Sequence, residues 1–291
     1  MNRAWVLAAI PFALMHLACL GALLTGVSGV ALAVCLVAYL VRMFGITAGY
    51  HRYFAHRAFK TGRGFQAVLA IIGCASAQLG PLWWAAHHRH HHAFSDTERD
   101  PHSPARQGFL WSHMGWFLHP SNKATDLEAI RDFAAFPELR MLDALPLIAP
   151  TVLAFGMLGL GKALQQLGVN TSGPQMLVWG FFISTVLLYH GTFVINSLAH
   201  VFGSRRYETR DDSRNNALLA LITLGEGWHN NHHRCPSACR QGFYWWELDI
   251  TWLVLLALER AGLVWDIRPV PASAYRADRR FVDTEQRDTA T

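Results

Sequence analysis

Histidine, the residue whose neutral side chain most often binds metals, is concentrated in three short stretches of this 291-residue chain. They are HRYFAH at 51–56, HHRHHH at 87–92 and HNNHH at 229–233. A single histidine is more often a hydrogen-bonded structural residue, but a spacing repeated at distant places favours a common task. The stretches hold too many imidazoles for one ion, so we predict two metal ions, each bound by about four or five nitrogens.

The second and third stretches both contain the pattern HxxHH. Residues three and four apart share one face of an α-helix, so we predict that each triplet directs its imidazoles at one point. The HxxxxH of the first stretch would do the same at a helix end or turn. In the second stretch the pattern fits His87, His90 and His91, and it also fits His88, His91 and His92. Helical geometry alone does not distinguish these registers.

The type of donor favours redox chemistry. Zinc usually takes four ligands and closes its site, whereas an imidazole-rich pair of ions with open positions suits dioxygen chemistry, in which two irons share the electron demand. We expect nearby carboxylates to accept hydrogen bonds from the imidazoles and to fix their tautomers, with ordinary salt bridges as the alternative. These carboxylates are Asp96, Asp100, Asp212 and Glu226. Single histidines in or near apolar runs are His16, His190 and His200.

The elements that must position these residues are predicted to cross a membrane. The chain is 52% hydrophobic and 15% charged, whereas soluble domains carry about 25% charged residues. Four apolar runs are close to the roughly 20 residues that span a bilayer. They cover 4–24, 27–45, 141–160 and 176–198. The net charge of +5 comes without a run of Lys or Arg, so a nucleic-acid partner is not predicted.

Basic residues predict the orientation of these runs. Lys162 is the only Lys or Arg in the two short outer turns, so the positive-inside rule places both termini and the histidine stretches in the cytoplasm. The apolar segment 65–82 would put the first two stretches on opposite sides if it crossed the membrane. We therefore predict that it enters the helix bundle without crossing.

These expectations give a simple domain organisation. We predict one all-α membrane domain over 1–270, with a cytoplasmic helical cap formed by 51–140 and 199–270. Within the cap, the apolar run 250–258 is expected to form an amphipathic helix on the cap or membrane surface. The polar segment 271–291 is predicted to be a flexible tail.

Four stretches together resemble the membrane fatty acyl desaturases of the stearoyl-CoA desaturase type. They are GITAGYHRYFAH at 45–56, HRHHHAFSD at 88–96, NSLAH at 196–200 and GEGWHNNHH at 225–233. The resemblance follows the chain in order from about residue 3 to residue 270. It implies four transmembrane helices under a cytoplasmic cap that holds a di-iron centre.

The resemblance also implies the ligands of that centre. By matching position the imidazole ligands are His51, His56, His88, His91, His92, His200, His229, His232 and His233, and Asn196 would reach one iron through water. It selects the second of the two registers, so His87 and His90 are predicted to be non-ligands. Asp96 and Glu226 are expected to support the ligands by hydrogen bonding.

Three further residues match positions that line the kink of a bent acyl tunnel in this family. They are Gln78, Trp84 and Thr192. The alternative for Gln78 and Thr192 is hydrogen bonding between membrane helices, and for Trp84 it is a role as an interfacial anchor.

The implied activity is the oxygen-dependent introduction of a cis double bond, at the delta-9 position, into a saturated acyl chain. Acyl-CoA is the first expected carrier. Acyl-lipid and acyl-carrier protein stay open, because LWWAA at 82–86 lacks the polar residues that help hold coenzyme A in the acyl-CoA enzymes. Electrons would come from a separate ferredoxin or cytochrome, for which Arg205, Arg206 and Arg210 offer a basic surface.

Two other functions remain alternatives. A membrane hydroxylase that inserts oxygen into a lipid or alkane shares histidine-rich motifs of this kind. A metal transporter or metal-binding membrane protein would also need many imidazoles, but along a transmembrane path. The histidine stretches lie mostly outside the predicted spans, which favours the desaturase.

Overall fold

The computed structural model describes residues 3–276. Four helices in this part are long and apolar enough to cross a membrane, and we number them spans 1 to 4. The shortest has 19 residues, which at 1.5 Å per residue gives about 29 Å, close to the thickness of the hydrocarbon core. The spans are Trp5–Thr25, Gly29–Ala55, Ile148–Gln166 and Gly173–His200.

Three of the spans contain turns that are wider or tighter than an α-helix. Span 1 joins α-helices Arg3–Ala18 and Ala22–Thr25 through a 3₁₀ turn at Cys19–Gly21. Span 2 is α-helical over Gly29–Phe44 and π-helical over Gly45–Ala55. Span 4 has α-helices Gly173–Met176 and Ser184–Asn196, a π-helix at Leu177–Ile183 between them and a 3₁₀ turn at Leu198–His200.

The ends of the spans differ from the predicted runs. Span 2 continues ten residues beyond the predicted end at 45, because its polar final turns are buried in protein instead of being exposed to lipid. Span 3 begins at Ile148 and not at 141. Proline disfavours helix at the residue before it, and Pro146 separates span 3 from the helix Pro137–Ala144.

Short connections make two antiparallel hairpins, spans 1–2 and spans 3–4. Close packing between the hairpins depends on Gly180 of span 4. A Cβ there would lie 2.7 Å from Met157 Sδ and 3.1 Å from Val34 Cγ1. The absence of a side chain at Gly180 therefore lets spans 2, 3 and 4 approach each other.

The apolar segment after the first histidine stretch does not form a spanning helix. Its helix, Arg63–Cys74, has 12 residues and is about 18 Å long, too short to cross the hydrocarbon core. A turn at 75–80 reverses the chain, and helix Pro81–Phe94 follows. The histidines before and after the segment consequently lie together, which is the outcome that a non-crossing segment predicts.

The cap consists of short helices and one small antiparallel sheet. The strands Lys60–Thr61 and Val264–Trp265 pair. The short helices are Pro104–Gln107, Trp111–Gly115, Trp116–Leu118, Pro120–Asn122, Arg131–Ala134, Pro137–Ala144, Ala217–Ile222, His229–Arg234, Ile250–Arg260 and Ala272–Arg276.

The C-terminal part of the cap rests on the end of span 2. The run predicted at 250–258 forms the helix Ile250–Arg260, which packs against Gly45–Ala55 and buries Leu255. Within the expected tail, Ala272–Arg276 is a helix whose Ala274 is buried. The remainder of that prediction, 277–291, lies outside the described residues.

Candidate metal centre

The π-helical end of span 2 positions the first two histidines. In a π-helix the hydrogen bonds run between residues five apart, and the backbone N–H of His56 donates to the carbonyl of His51 at 3.1 Å. This wider turn brings both imidazoles to the same side. A five-residue spacing therefore converges here, without a break in the helix between the two residues.

One group of imidazoles gathers nitrogen atoms from three elements of the chain. Its ligand atoms all lie within 4.8 Å of one another, and it comprises His51, His56, His88, His92 and His232. The Nε2 atoms of His56 and His88 are 2.9 Å apart, and those of His88 and His92 are 3.0 Å apart. The Nε2 atom of His232 lies 2.9 Å from that of His92 and 3.0 Å from that of His51.

A second group lies beside the first. It comprises His91, His200, His229 and His233, again within 4.8 Å of one another. The Nε2 atoms of His200 and His229 are 3.1 Å apart. The Nε2 atom of His233 is buried without a hydrogen-bond partner in the described part of the chain. A buried nitrogen of this kind is unfavourable unless something binds it.

The prediction that each HxxHH triplet points at one site is wrong. In helix Pro81–Phe94, His88 and His92 face the first group, whereas His91 faces the second. Helix His229–Arg234 does the reverse, because only His232 faces the first group. Viewed down the helix axis, residues i and i+4 are about 40° apart and therefore point to the same group. Residue i+3 lies about 60° to the other side of residue i and therefore points to the other group. Each helix thus contributes to both groups.

Carboxylates accept hydrogen bonds from the other nitrogen of four rings. Asp96 lies 2.9 Å from His200 Nδ1, Asp100 lies 3.0 Å from His91 Nδ1, and Asp211 lies 2.7 Å from His233 Nδ1. Glu226 contacts His51 Nδ1. Each ring can donate Nδ1–H to its carboxylate, which leaves the lone pair of Nε2 free to bind a metal.

Burial keeps most of these rings neutral. It lowers the pKa of five imidazoles well below the usual value, and neighbouring imidazoles lower it further. They are His56, His88, His92, His229 and His232. Burial also lowers the pKa of His233 to about 4. A neutral ring is the form of histidine that binds a metal, so these six rings are in the metal-binding form at pH 7.

The geometry fits two transition-metal ions. Two nitrogens that bind one ion at about 2.1 Å and at right angles lie about 3.0 Å apart. The Nε2 contacts within the first group are 2.9 to 3.0 Å. Five imidazoles in one group and four in the other match the predicted number of nitrogens per ion. Imidazole donors of this type suit iron, zinc, copper or nickel.

An apolar cavity of about 530 Å³ extends from the first group into the membrane spans. Gln78, Trp84, Thr192 and Asn196 all line it, next to His88. The Trp84 ring stacks on His88 with centroids 5.0 Å apart, so Trp84 lies beside the first histidine group. Gln78 Nε2 donates to Thr192 Oγ1 at 3.0 Å. This pair therefore joins the turn at 75–80 to span 4 and forms part of the cavity wall.

The comparison with known proteins is decisive for the family. A family model described as fatty acid desaturase matches residues 27–268. The chain belongs to the fatty acid desaturase family. It is accordingly an oxidoreductase of lipid metabolism, and its substrate is a fatty acyl group.

Three similar proteins illustrate how far the match extends. The sn-1 stearoyl-lipid 9-desaturase of Anabaena variabilis is 37% identical over 241 residues, 82% of this chain and 83% of the relative. The Delta-9 acyl-lipid desaturase 2 of Arabidopsis thaliana is 39% identical over 238 residues, 82% of this chain and 74% of the relative. The Acyl-CoA 5-desaturase AL21 of Anemone leveillei is 34% identical over 282 residues, which are 94% of this chain and 82% of the relative.

Two residues beside the centre of this desaturase were missed by reasoning from its sequence. Asp211, and not the neighbouring Asp212, contacts His233. The Asp212 side chain pairs with Arg205, and its backbone N–H donates to Asp96. His102 stacks on His91 with centroids 4.3 Å apart. Both missed residues lie in irregular loops, where no periodicity shows which side chain points inward.

The remaining histidines of the desaturase lie outside the two groups. His87 donates from Nδ1 to the Trp83 carbonyl at 2.9 Å, and His90 contacts the Arg99 carbonyl through Nε2 at 2.9 Å. His190 contacts His16 at 3.1 Å and His113 at 2.9 Å, forming a separate chain of imidazoles. Of the single histidines named from the sequence, only His200 joins a group.

Proposed function

We propose that the nine grouped histidines bind two iron ions. The donor set, the Nε2 separations and the carboxylates behind the rings support this proposal. Removing hydrogen from an unactivated methylene needs a strong oxidant, because a C–H bond of this kind has no acidic proton for a general base. A pair of bound irons would supply that oxidant from dioxygen. Asn196, which lines the cavity near the first group, would reach one iron through water.

We propose that the apolar cavity holds the acyl chain. Gln78, Trp84 and Thr192 would line a bend in it, so that the chain lies curved and a cis product is favoured. The walls exclude water and fix which methylenes face the histidines. Overall, two C–H bonds break and one C=C bond forms, while dioxygen takes up the two hydrogens, two electrons and two protons and leaves as two waters.

We propose a lipid-bound acyl chain and the delta-9 position. Two of the three relatives described above are named as lipid-linked 9-desaturases. The residues 82–86 beside the cavity carry no charged side chain for a coenzyme A head group. Acyl-CoA, the carrier first expected from the sequence, and acyl-carrier protein are the alternatives, and one relative is named as an acyl-CoA desaturase.

We propose that the cap faces the cytoplasm and receives electrons there from a separate ferredoxin or cytochrome. The distribution of Lys and Arg supports this orientation. Arg205 and Arg210 flank Asp211, which contacts His233, so an acidic donor could dock close to the second group. Epitope tags after Arg57 and after Phe94 should both be accessible from the cytoplasm. Tags on opposite sides would refute the topology.

The observation that carries the function is the contact between the first histidine group and an apolar cavity within the spans. The test is expression in a desaturase-deficient host, followed by localisation of double bonds in each lipid class. Monounsaturated chains at delta-9 in intact membrane lipids are expected. Unsaturation that appears first in the acyl-CoA pool would refute the lipid carrier. Hydroxylated chains without unsaturated ones would refute desaturation and favour the hydroxylase.

A further inference from the structure

The turn at 75–80, between helices Arg63–Cys74 and Pro81–Phe94, has a strained backbone. Ala77 has a φ of 55° and Leu79 a φ of 65°. Residues with a Cβ adopt this left-handed conformation at an energetic cost, so it persists only where the surroundings enforce it. The turn itself contains no positive-φ glycine that would make the conformation easy.

Three buried side chains hold this turn through its carbonyl groups. Arg42 donates from Nη1 to the Ala75 carbonyl at 3.3 Å. The Tyr189 hydroxyl donates to the Ala77 carbonyl at 3.0 Å, and the Tyr50 hydroxyl donates to the Leu79 carbonyl at 3.0 Å. Arg42 and Tyr50 come from span 2 and Tyr189 from span 4. We call these three residues the turn clamp.

Arg42 is unusual because it is a buried charge without an acidic partner. Its side chain is 2% exposed, and no ion pair involves it among residues 3–276. It donates instead to Ser184 Oγ at 2.5 Å and to Thr185 Oγ1 at 2.6 Å. Burying a cation without an acidic partner is costly. The guanidinium group has five N–H donors in a fixed geometry, which suits it to holding neutral acceptors from several elements in place.

The clamped turn is part of the cavity wall. Ala77, Gln78 and Leu79 all line the cavity. Tyr189 and Thr192 line it from span 4, where the lining residues run from Phe181 to Asn196. Asn196 and Phe181 are 15 residues apart along a continuous helix, or about 22 Å. The turn contacts Tyr189 and Thr192, so it lies against the middle of this stretch of span 4 and forms part of the cavity wall.

We propose that the turn clamp determines the position of the double bond. The clamp fixes where the wall bends, and the bend fixes which carbons of the chain lie beside the histidine centre. Arg42 and Tyr50 are positioning residues, because neither lines the cavity and both act through the turn. The inference rests on the proposed function, since it requires that the acyl chain occupy this cavity.

Substitution of the clamp tests this inference through the products formed. Tyr50→Phe and Tyr189→Phe each remove one hydroxyl donor and keep the ring, and Arg42→Lys keeps the charge but loses the fork. The matched control is Tyr39→Phe, whose hydroxyl donates to the Ile222 carbonyl at 2.6 Å, away from the turn. The measurement is the ratio of displaced to original double-bond positions in the lipids of a desaturase-deficient host.

Each Tyr→Phe clamp variant should raise this ratio by about fivefold. This is the change in population expected when one ordinary hydrogen bond, worth about 1 kcal/mol, no longer favours the native conformation of the turn. Arg42→Lys should raise it at least as much, and Tyr39→Phe should leave it unchanged. A purely structural role would lower total yield without moving the double bond. Tyrosine variants that stay active and leave the double-bond position unchanged would therefore overturn this inference but not the proposed function. Absence of unsaturated product from the unaltered protein would overturn the proposed function as well.

Discussion

At the scale of single residues, the two histidine groups of this desaturase differ in the partners of their Nδ1 atoms as well as in their position. Three Nδ1 atoms of the second group, those of His91, His200 and His233, contact aspartates. Burial opposes the charge on these carboxylates, but hydrogen bonds from His200 and His233 hold the pKa of Asp96 and Asp211 below the usual range. The electrostatic attraction of His91 and His102 does the same for Asp100. The second group thus has a negatively charged surround of three carboxylates.

Asp211→Asn tests the importance of that surround. The amide cannot accept as strongly from His233 Nδ1–H, so we expect metal affinity to fall by about 10- to 100-fold. The measurement is metal retained by the purified protein against a competing chelator. Asp212→Asn is the control, because Asp212 pairs with Arg205. Equal losses in both variants would show that loop charge, and not contact with His233, controls affinity.

The register of the second histidine stretch gives a second test. His88 belongs to the first group, whereas His87 is bonded to the Trp83 carbonyl. His88→Ala should therefore abolish desaturation, and His87→Ala should retain most of it, as judged by monounsaturated lipid per amount of protein. An inactive His87→Ala beside an active His88→Ala would contradict the proposed ligand set.

At the scale of elements, helix Pro81–Phe94 carries three grouped histidines and depends on Asp143 for its first turn. Asp143 Oδ1 accepts from the Trp83 backbone N–H at 2.8 Å, and Oδ2 accepts from the Thr125 hydroxyl at 2.8 Å. A Cβ at Gly80 would lie 2.3 Å from Asp143 Oδ1. The carboxylate of a neighbouring helix thus takes the place of an N-cap side chain.

Asp143→Ala should lower the free energy of unfolding by about 1–2 kcal/mol, the usual cost of losing a capping side chain. The measurement is thermal or denaturant unfolding of the purified protein in detergent. Glu138→Ala, which removes an exposed ion pair with Arg63, should have a smaller effect. If the two variants were equally stable, Asp143 would not be acting as a cap.

The same elements show what sequence could and could not predict. Apolar runs predict spans because lipid imposes a length and a composition, and the need for His51 and His88 to meet predicts that the segment between them does not cross. The division of HxxHH between two groups could not be predicted, since it depends on how helices from distant parts of the chain approach each other. The π-helical turns at Gly45–Ala55 depend on the same packing.

At the scale of the whole molecule, four spans support a cap, and the grouped histidines come from the C-terminal ends of spans 2 and 4 and from two further helices. Asp211 and the turn clamp illustrate the limit of sequence reasoning at this scale. An aspartate in an irregular loop and an arginine in an apolar run each have many plausible partners. Only the folded chain shows that Asp211 meets His233 and that Arg42 meets the carbonyl of Ala75.

The central claim is that the two groups of imidazoles bind two iron ions that act together on an acyl chain. The most direct test is the metal content of the purified desaturase, determined by elemental analysis against protein concentration. We predict two iron ions per chain. A single metal ion per chain, or zinc in place of iron in the active protein, would contradict the claim.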